Sequence, residues 1–155
     1  LKDRSATNFG LVSCLSYVDD KGFGPSLVHR NGVTRARMFQ EMGVAAQVNC
    51  GDDASLASGL DMLEATLGSD LGNMKGDYVC GQYTLADACW AGVCQVATNM
   101  GKGSAISSRS KVNTWFASVQ GHPSTSKESI NPYSCMATKA DADSGSMREI
   151  RVNTG

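Results

Sequence analysis

The chain has 155 residues, 41% of them hydrophobic, and a formal net charge of −1 at pH 7. This length suits one domain with a sizeable core. The near-zero charge gives no reason to expect nucleic acid as a partner, because proteins that bind it usually carry a basic face. No run of about 18 apolar residues occurs, so we expect no transmembrane segment.

The first part of the chain predicts two helices joined by a turn. Residues 6–18 carry apolar side chains at helical spacing, and the turn-rich segment 19–26 follows them. A second helix is predicted over residues 33–48. Its expected apolar face holds Ala36, Phe39 and Met42, and the charged residues expected to face water are Arg35, Arg37 and Glu41.

The clearest amphipathic stripe of the chain predicts a third helix. Gly51, Asp52 and Asp53 end the second helix, and leucines then recur at helical spacing before a glycine-rich loop over residues 69–77. The leucines that form the stripe are Leu56, Leu60, Leu63 and Leu67. We expect the first three to be core residues.

A capping box predicts the start of the next helix. Thr84 and Asp87 stand three residues apart immediately before an apolar run, so the threonine hydroxyl can accept from the Asp87 amide and the aspartate can accept from the Thr84 amide. The run from Leu85 to about Met100 is apolar over most of its circumference, which indicates a central, buried helix with Trp90 in the core.

The last predicted helix lies near the C-terminal end of the chain. Gly101 and Gly103 are expected to stop the capped helix, and a helix over residues 107–120 is expected to follow. Its apolar face would hold Val112, Trp115, Phe116 and Val119, of which Trp115 and Phe116 are predicted core residues. After a possible helical turn at 124–130, residues 131–155 have few large apolar side chains and would not order alone.

The six cysteines show no disulfide framework and no metal-binding spacing. No C-x-x-C motif occurs, and His29 and His122 do not cluster with the cysteines. We therefore expect free, mostly buried thiols in a reducing compartment, with no metal and no cofactor.

No residue is predicted to be catalytic. Asp87 as a buried acid or base is the functional alternative to a capping role, and we favour the cap, so Thr84 and Asp87 are predicted to be structural. Tyr78 and Tyr83 flank the box and are expected to pack there. His122 precedes a proline at a helix end, which favours a surface turn over a catalytic triad.

Residues 78–90, Tyr-Val-Cys-Gly-Gln-Tyr-Thr-Leu-Ala-Asp-Ala-Cys-Trp, resemble the core-helix start of the glutathione transferase C-terminal domain. Three further segments resemble that family in the same order. They are Phe-Gly-Pro-Ser-Leu at 23–27 (the interdomain linker), Arg-Ala-Arg-Met-Phe at 35–39 (the first helix), and Val112, Trp115 and Phe116 followed by His-Pro-Ser at 122–124 (a later helix).

The resemblance implies an all-α fold, a glutathione-transferase C-terminal-like helical bundle with one preceding helix and an extended C-terminal tail. Residues 1–24 would be the last helix of the family's thioredoxin-like domain plus the linker. Residues 25–130 would be the helical domain, and residues 131–155 the tail.

The resemblance also implies that the scaffold is present without the family's catalytic machinery. In the family, a Glu-Ser or Gln-Ser pair holds the γ-glutamyl end of glutathione, and the two possible alignments place Gly10-Leu11 or Asn8-Phe9 there. The remainder of the thioredoxin-like domain, which supplies the catalytic Tyr, Ser or Cys and a cis-proline, lies outside this sequence. We therefore expect a non-catalytic structural or interaction module.

The expected partners are protein subunits of a larger assembly, contacted partly by the 131–155 tail. The sequence begins with Leu1 rather than Met, so either a leader has been removed or upstream sequence is not included. The expected setting is an organelle, a chloroplast or mitochondrion, at the periphery of a photosystem or respiratory membrane complex; the alternative is the cytoplasm. The alternative function is a fragment of, or a divergent, glutathione transferase, and a weaker one is a carrier of hydrophobic ligands.

Overall fold

The computed structural model describes residues 11–21, 26–69 and 76–122. Within these residues the chain forms α-helices and no strand, which confirms the predicted all-α class. The helices are α1 (Leu11–Lys21), α2 (Gly32–Gln47), α3 (Asp53–Leu67), α4 (Leu85–Asn99), α5 (Gly103–Ser107) and α6 (Ser110–Gln120).

The chain divides into two compact units, Leu1–Val119 and Gln120–Gly155. The predicted turn at 124–130 and the predicted tail at 131–155 lie outside the described residues, as do residues 1–10. The helices and contacts described here belong to the first unit, apart from the last residue of α6.

Helix α1 continues to Lys21, whereas the sequence predicted a turn-rich segment from residue 19. Asp19 lies within α1, and its carboxylate accepts hydrogen bonds from the Ser26 hydroxyl (2.6 Å) and from the Leu27 amide (2.7 Å). These bonds tie the end of α1 to the segment that precedes α2. Residues 22–25 of the predicted turn lie outside the described part of the chain.

Helix α2 buries a different face from the predicted one. Asn31 is its N-cap, and the Asn31 side chain accepts from the Val33 and Thr34 amides. The residues it buries are Thr34, Met38, Glu41, Met42 and Ala45. Ala36 and Phe39 of the predicted apolar face are exposed, and Glu41, predicted to face water, is only 4% exposed. The buried face differs from the predicted one because α4 packs against α2, where Trp90 Nε1 of α4 donates to Glu41.

Helix α4 lies at the centre of the core. It packs mainly against α2 and also contacts α5. Its C-terminus ends in a Schellman motif, in which the Lys102 amide donates to the Ala97 carbonyl (2.9 Å) and the Gly101 amide to the Thr98 carbonyl (3.0 Å). Gly101 adopts φ 77°, a left-handed conformation that glycine reaches without a steric penalty.

The predicted helix over residues 107–120 is α6, which begins at Ser110, and a short helix that the sequence did not predict, α5, precedes it. Gly103, predicted to be a stop signal, instead opens the short helix α5, and a break at Ser108 and Arg109 precedes α6. The Glu64 carboxylate of α3 accepts from the Lys111 amide (3.2 Å) and the Val112 amide (2.8 Å) in the first turn of α6. These bonds satisfy amides that a new helix start leaves without a partner.

Candidate functional site

The Asp87 site is a carboxylate enclosed between the start of α4 and helix α6. Asp87 and the N-cap residue Thr84 are both 0% exposed. Asp87 Oδ1 accepts from the Val79 amide (3.0 Å) and from Trp115 Nε1 (2.9 Å). Asp87 Oδ2 accepts from the Thr84 amide (2.9 Å) and from the Thr84 hydroxyl (3.1 Å).

The predicted capping box is present with both of its halves: the Thr84 side chain accepts from the Asp87 amide, and the Asp87 side chain accepts from the Thr84 amide. The Thr84 hydroxyl also donates to Asp87 Oδ2. The Asp87 amide bonds the Thr84 carbonyl at 3.1 Å. The threonine therefore helps to hold the carboxylate, in addition to beginning the helix.

The hydrogen bonds at Asp87 leave no acceptor position free. An ionised carboxylate offers about four lone-pair sites, and four donors are present here. Burial raises the pKa of Asp87, and the hydrogen bonds from Trp115, Val79 and Thr84 oppose that rise. A general base must reach the proton that it abstracts. Asp87 is enclosed and saturated, so the arrangement serves structure.

Cys80 and Tyr83 lie beside the Asp87 site. Burial, and then the charge of Asp87, raise the pKa of the Cys80 thiol to about 11, while a hydrogen bond with the Thr84 side chain works in the opposite direction. Burial, and then Asp87, raise the pKa of Tyr83 to about 12. The Tyr83 ring meets the Tyr78 ring edge-on, with centroids 5.5 Å apart. Neither group is activated as a nucleophile, because activation needs a lowered pKa.

The Glu41 site is a second buried carboxylate, and the sequence did not predict it. Glu41 Oε1 contacts Arg37 Nε at 3.0 Å and accepts from the Thr66 hydroxyl at 3.3 Å. Glu41 Oε2 accepts from Trp90 Nε1 at 3.4 Å. Arg37 also donates to the Thr66 hydroxyl at 3.2 Å. Each buried tryptophan thus donates its indole N–H to a carboxylate, as a buried indole requires.

A small cavity borders the Glu41 site. Its volume is about 30 Å³, which is room for about two water molecules. The residues that line it are Arg37, Thr66, Leu67, Ser69, Gly76, Tyr78 and Val79.

The predicted core residues occupy the interior. Leu56, Leu60, Leu63 and Trp90 are at most 1% exposed, Trp115 is 3% exposed and Phe116 is 9% exposed. Cys50, Cys80, Cys89 and Cys94 are free thiols, and the last three of them are buried. Cys135 lies outside the described residues.

Residues 11–21, 26–69 and 76–122 contain no group of three or more His, Cys, Asp or Glu side chains that could hold a metal ion. No helix in the same ranges combines the length and the apolar character needed to cross a membrane.

Sequence reasoning missed Glu41, and a signal for it exists. Positions 34, 38, 41, 42 and 45 follow the spacing of one helical face, and Met38, Met42 and Ala45 occupy that face. Glu41 lies within this apolar stripe, with Arg37 one turn before it. A lone acid inside an apolar stripe, with a cation four residues away, indicates a buried pair.

Comparison of the chain with protein-family models, with curated proteins and with solved structures finds no match.

Proposed function

We propose that this chain is a glutathione-transferase C-terminal-like helical domain that serves as a non-catalytic structural or interaction module, an accessory subunit of a larger assembly. The proposal joins the sequence resemblance to the geometry of the Asp87 site. The motif that carries the resemblance, Thr-Leu-Ala-Asp at 84–87, begins the central helix of the core.

The observation that carries the non-catalytic part is the saturation of Asp87. The acid at the centre of the resemblance accepts four hydrogen bonds and has no exposed surface. Such a residue stabilises the fold and does not meet a substrate. The Glu41 site supports the same reading, because Glu41 is paired with Arg37 and Trp90 inside the core.

The proposed setting is an organelle, at the periphery of a photosynthetic or respiratory membrane complex, with protein subunits as partners. The polar composition of residues 131–155 supports a segment that gains its order from a partner. We propose that this tail makes part of the contact.

The proposed lack of transferase activity is tested with the purified chain, and an active glutathione transferase is the positive control. The chain is passed over immobilised glutathione and assayed for conjugation of glutathione to an electrophilic aryl halide. We expect no retention and no rate above the uncatalysed reaction. Retention together with conjugation would overturn the proposal in favour of a divergent transferase.

The assembly part is tested by native gel electrophoresis of membranes from the source organism. We expect the full chain to migrate with one complex of fixed composition. We expect a variant that ends at residue 130 to be absent from the band of that complex. Circular dichroism of both forms controls for folding. If the full chain migrates alone, or if the shortened chain stays in the complex, the proposed role of the tail is wrong.

A further inference from the structure

Cys50 lies in the connection between α2 and α3, and both its thiol and its carbonyl make hydrogen bonds. The Cys50 thiol donates to the Val93 carbonyl at 3.7 Å. The Cys50 carbonyl accepts from Lys102 Nζ at 2.7 Å, and the same ammonium bonds the Gly51 carbonyl at 3.1 Å. Lys102 also pairs with Asp53 at 2.7 Å. The Cys50 side chain is therefore held against Val93 of α4, and the Cys50 main chain is held by Lys102, which lies between α4 and α5.

Cys94 follows Val93 directly and is 0% exposed. The Cys50 sulfur contacts the carbonyl of the residue that precedes Cys94, so the two cysteines are neighbours between the α2–α3 connection and α4. Burial, and second the negative charge of an ionised Cys50, raise the pKa of the Cys94 thiol to about 12. The second cause acts only between groups that are close in space.

The two thiols differ in access and charge. Cys50 is half-buried; burial raises the pKa of its thiol, and the nearby Lys102 ammonium opposes that rise. Cys94 is enclosed and stays protonated. Cys50 is the more accessible of the two thiols, so an oxidant reaches it first and reacts with the fraction of Cys50 that is ionised.

We propose that Cys50 and Cys94 form a reversible disulfide when the chain meets hydrogen peroxide. The Cys50 thiolate attacks one peroxide oxygen, the O–O bond breaks, and Cys50 becomes a sulfenic acid as the leaving hydroxide takes up a proton to form water. The Cys94 sulfur then attacks the Cys50 sulfur, an S–S bond forms, and the S–OH oxygen leaves as a second water with the Cys94 proton. The two thiols lose two electrons and the peroxide gains them. The bond ties the α2–α3 connection to α4 until a dithiol reduces it.

The test uses the full chain, oxidised with hydrogen peroxide and then unfolded in an alkylating agent. Mass spectrometry of non-reduced peptides counts the free thiols and locates any cross-link. We expect the loss of two of the six thiols, a Cys50–Cys94 linked peptide, and full recovery of both thiols with dithiothreitol. The inference is independent of the proposed function.

Three variants locate the bond. Cys50→Ser is expected to abolish the cross-link, Cys94→Ala to stop the reaction at a Cys50 sulfenic acid, and the matched control Cys89→Ala on the same helix to retain the cross-link. The unmodified chain alone can overturn the proposal. It does so if Cys50 is oxidised while Cys94 remains fully alkylatable, or if Cys50 links to Cys80 or Cys89 instead.

Discussion

Two buried carboxylates dominate this protein at the scale of single residues. Asp87 has four hydrogen bonds, whereas Glu41 has an ion pair with Arg37 and longer bonds to Thr66 and Trp90. Removing one partner of a buried charge is costly, because the other loses its compensation. The stability of the core therefore depends on these polar contacts as well as on apolar packing.

Asp87→Asn tests the Asp87 site. The amide matches the carboxylate in shape, but its NH2 group takes the place of one carboxylate oxygen. That NH2 group cannot accept the two hydrogen bonds that the oxygen accepted. We expect the free energy of unfolding to fall by about 2–4 kcal/mol, since buried groups lose charged hydrogen bonds. Urea unfolding followed by circular dichroism measures the change.

Thr84→Ser is the matched control for that substitution. It keeps both the amide and the hydroxyl that bond Asp87 Oδ2. We expect it to cost less than about 1.5 kcal/mol, which is the loss of one buried methyl group. If Asp87→Asn were as stable as the unmodified chain, the role of this carboxylate in the fold would be refuted.

At the scale of the helices, some helix ends are defined by neighbouring residues in the sequence and others by tertiary contacts. Thr84, Asn31 and Gly101 act within a few residues of the helix that they begin or end. Helix α6 differs, because Glu64 of α3 caps its first turn. Arg109, in the break before α6, donates to Asp61 at 2.8 Å and to the Ala57 carbonyl at 3.1 Å, both on α3. The break between α5 and α6 is thus fixed by α3.

Two glycines inside helices form a matched pair for testing the packing between elements. A Cβ atom at Gly43 of α2 meets nothing within 4 Å, whereas one at Gly59 of α3 comes within 2.6 Å of Val48 Cγ2. Gly43→Ala should stabilise the chain by about 0.5–1 kcal/mol, because alanine loses less backbone entropy in a helix. Gly59→Ala should destabilise it by about 1 kcal/mol net, because overpacking outweighs the same gain.

Thermal and urea unfolding of the two glycine variants, made singly, give the comparison. The sign of the change is the informative quantity. Equal stabilisation by both substitutions would contradict the close approach of α3 to Val48.

At the scale of the whole molecule, α4 buries one side in the core, and the thiols on that side are sealed from solvent. Cys89 and Cys94 lie on this helix and are at most 3% exposed. Burial raises the pKa of each thiol to about 12 from an ordinary 9.0. The protonated thiol is favoured in the folded chain, so the core is sensitive to alkaline pH.

Alkaline pH should unfold the protein through these groups. A thiol whose folded pKa is raised contributes stability that is complete below pH 9 and is lost as the pH rises from 9 toward 12. Each such group lowers the free energy of unfolding by up to about 1.4 kcal/mol per pH unit in that window. Urea unfolding in steps of pH above 9 measures the slope. Cys89→Ala should reduce it, and an unchanged slope would show that Cys89 does not contribute.

The amino-acid sequence by itself determined the all-α class and the start of α4. Helical periodicity and a capping box depend on residues within a few positions of one another, so both can be recognised in the sequence without knowledge of the fold. The leucine stripe of α3 and the apolar circumference of α4 likewise indicate interior elements, and Leu60 and Trp90 are fully buried.

Only the tertiary structure decided which polar groups meet. Trp115 reaches Asp87 from a different helix, Glu41 is buried because α4 packs on its face of α2, and Glu64 caps a helix far along the chain. Each of these contacts joins residues more than 25 positions apart. The pattern of neighbouring residues does not determine how one helix is oriented against another, so these contacts could not be predicted from the sequence. The Thr84–Asp87 box was therefore predictable as a cap, but its saturation, which argues against catalysis, was decided by packing.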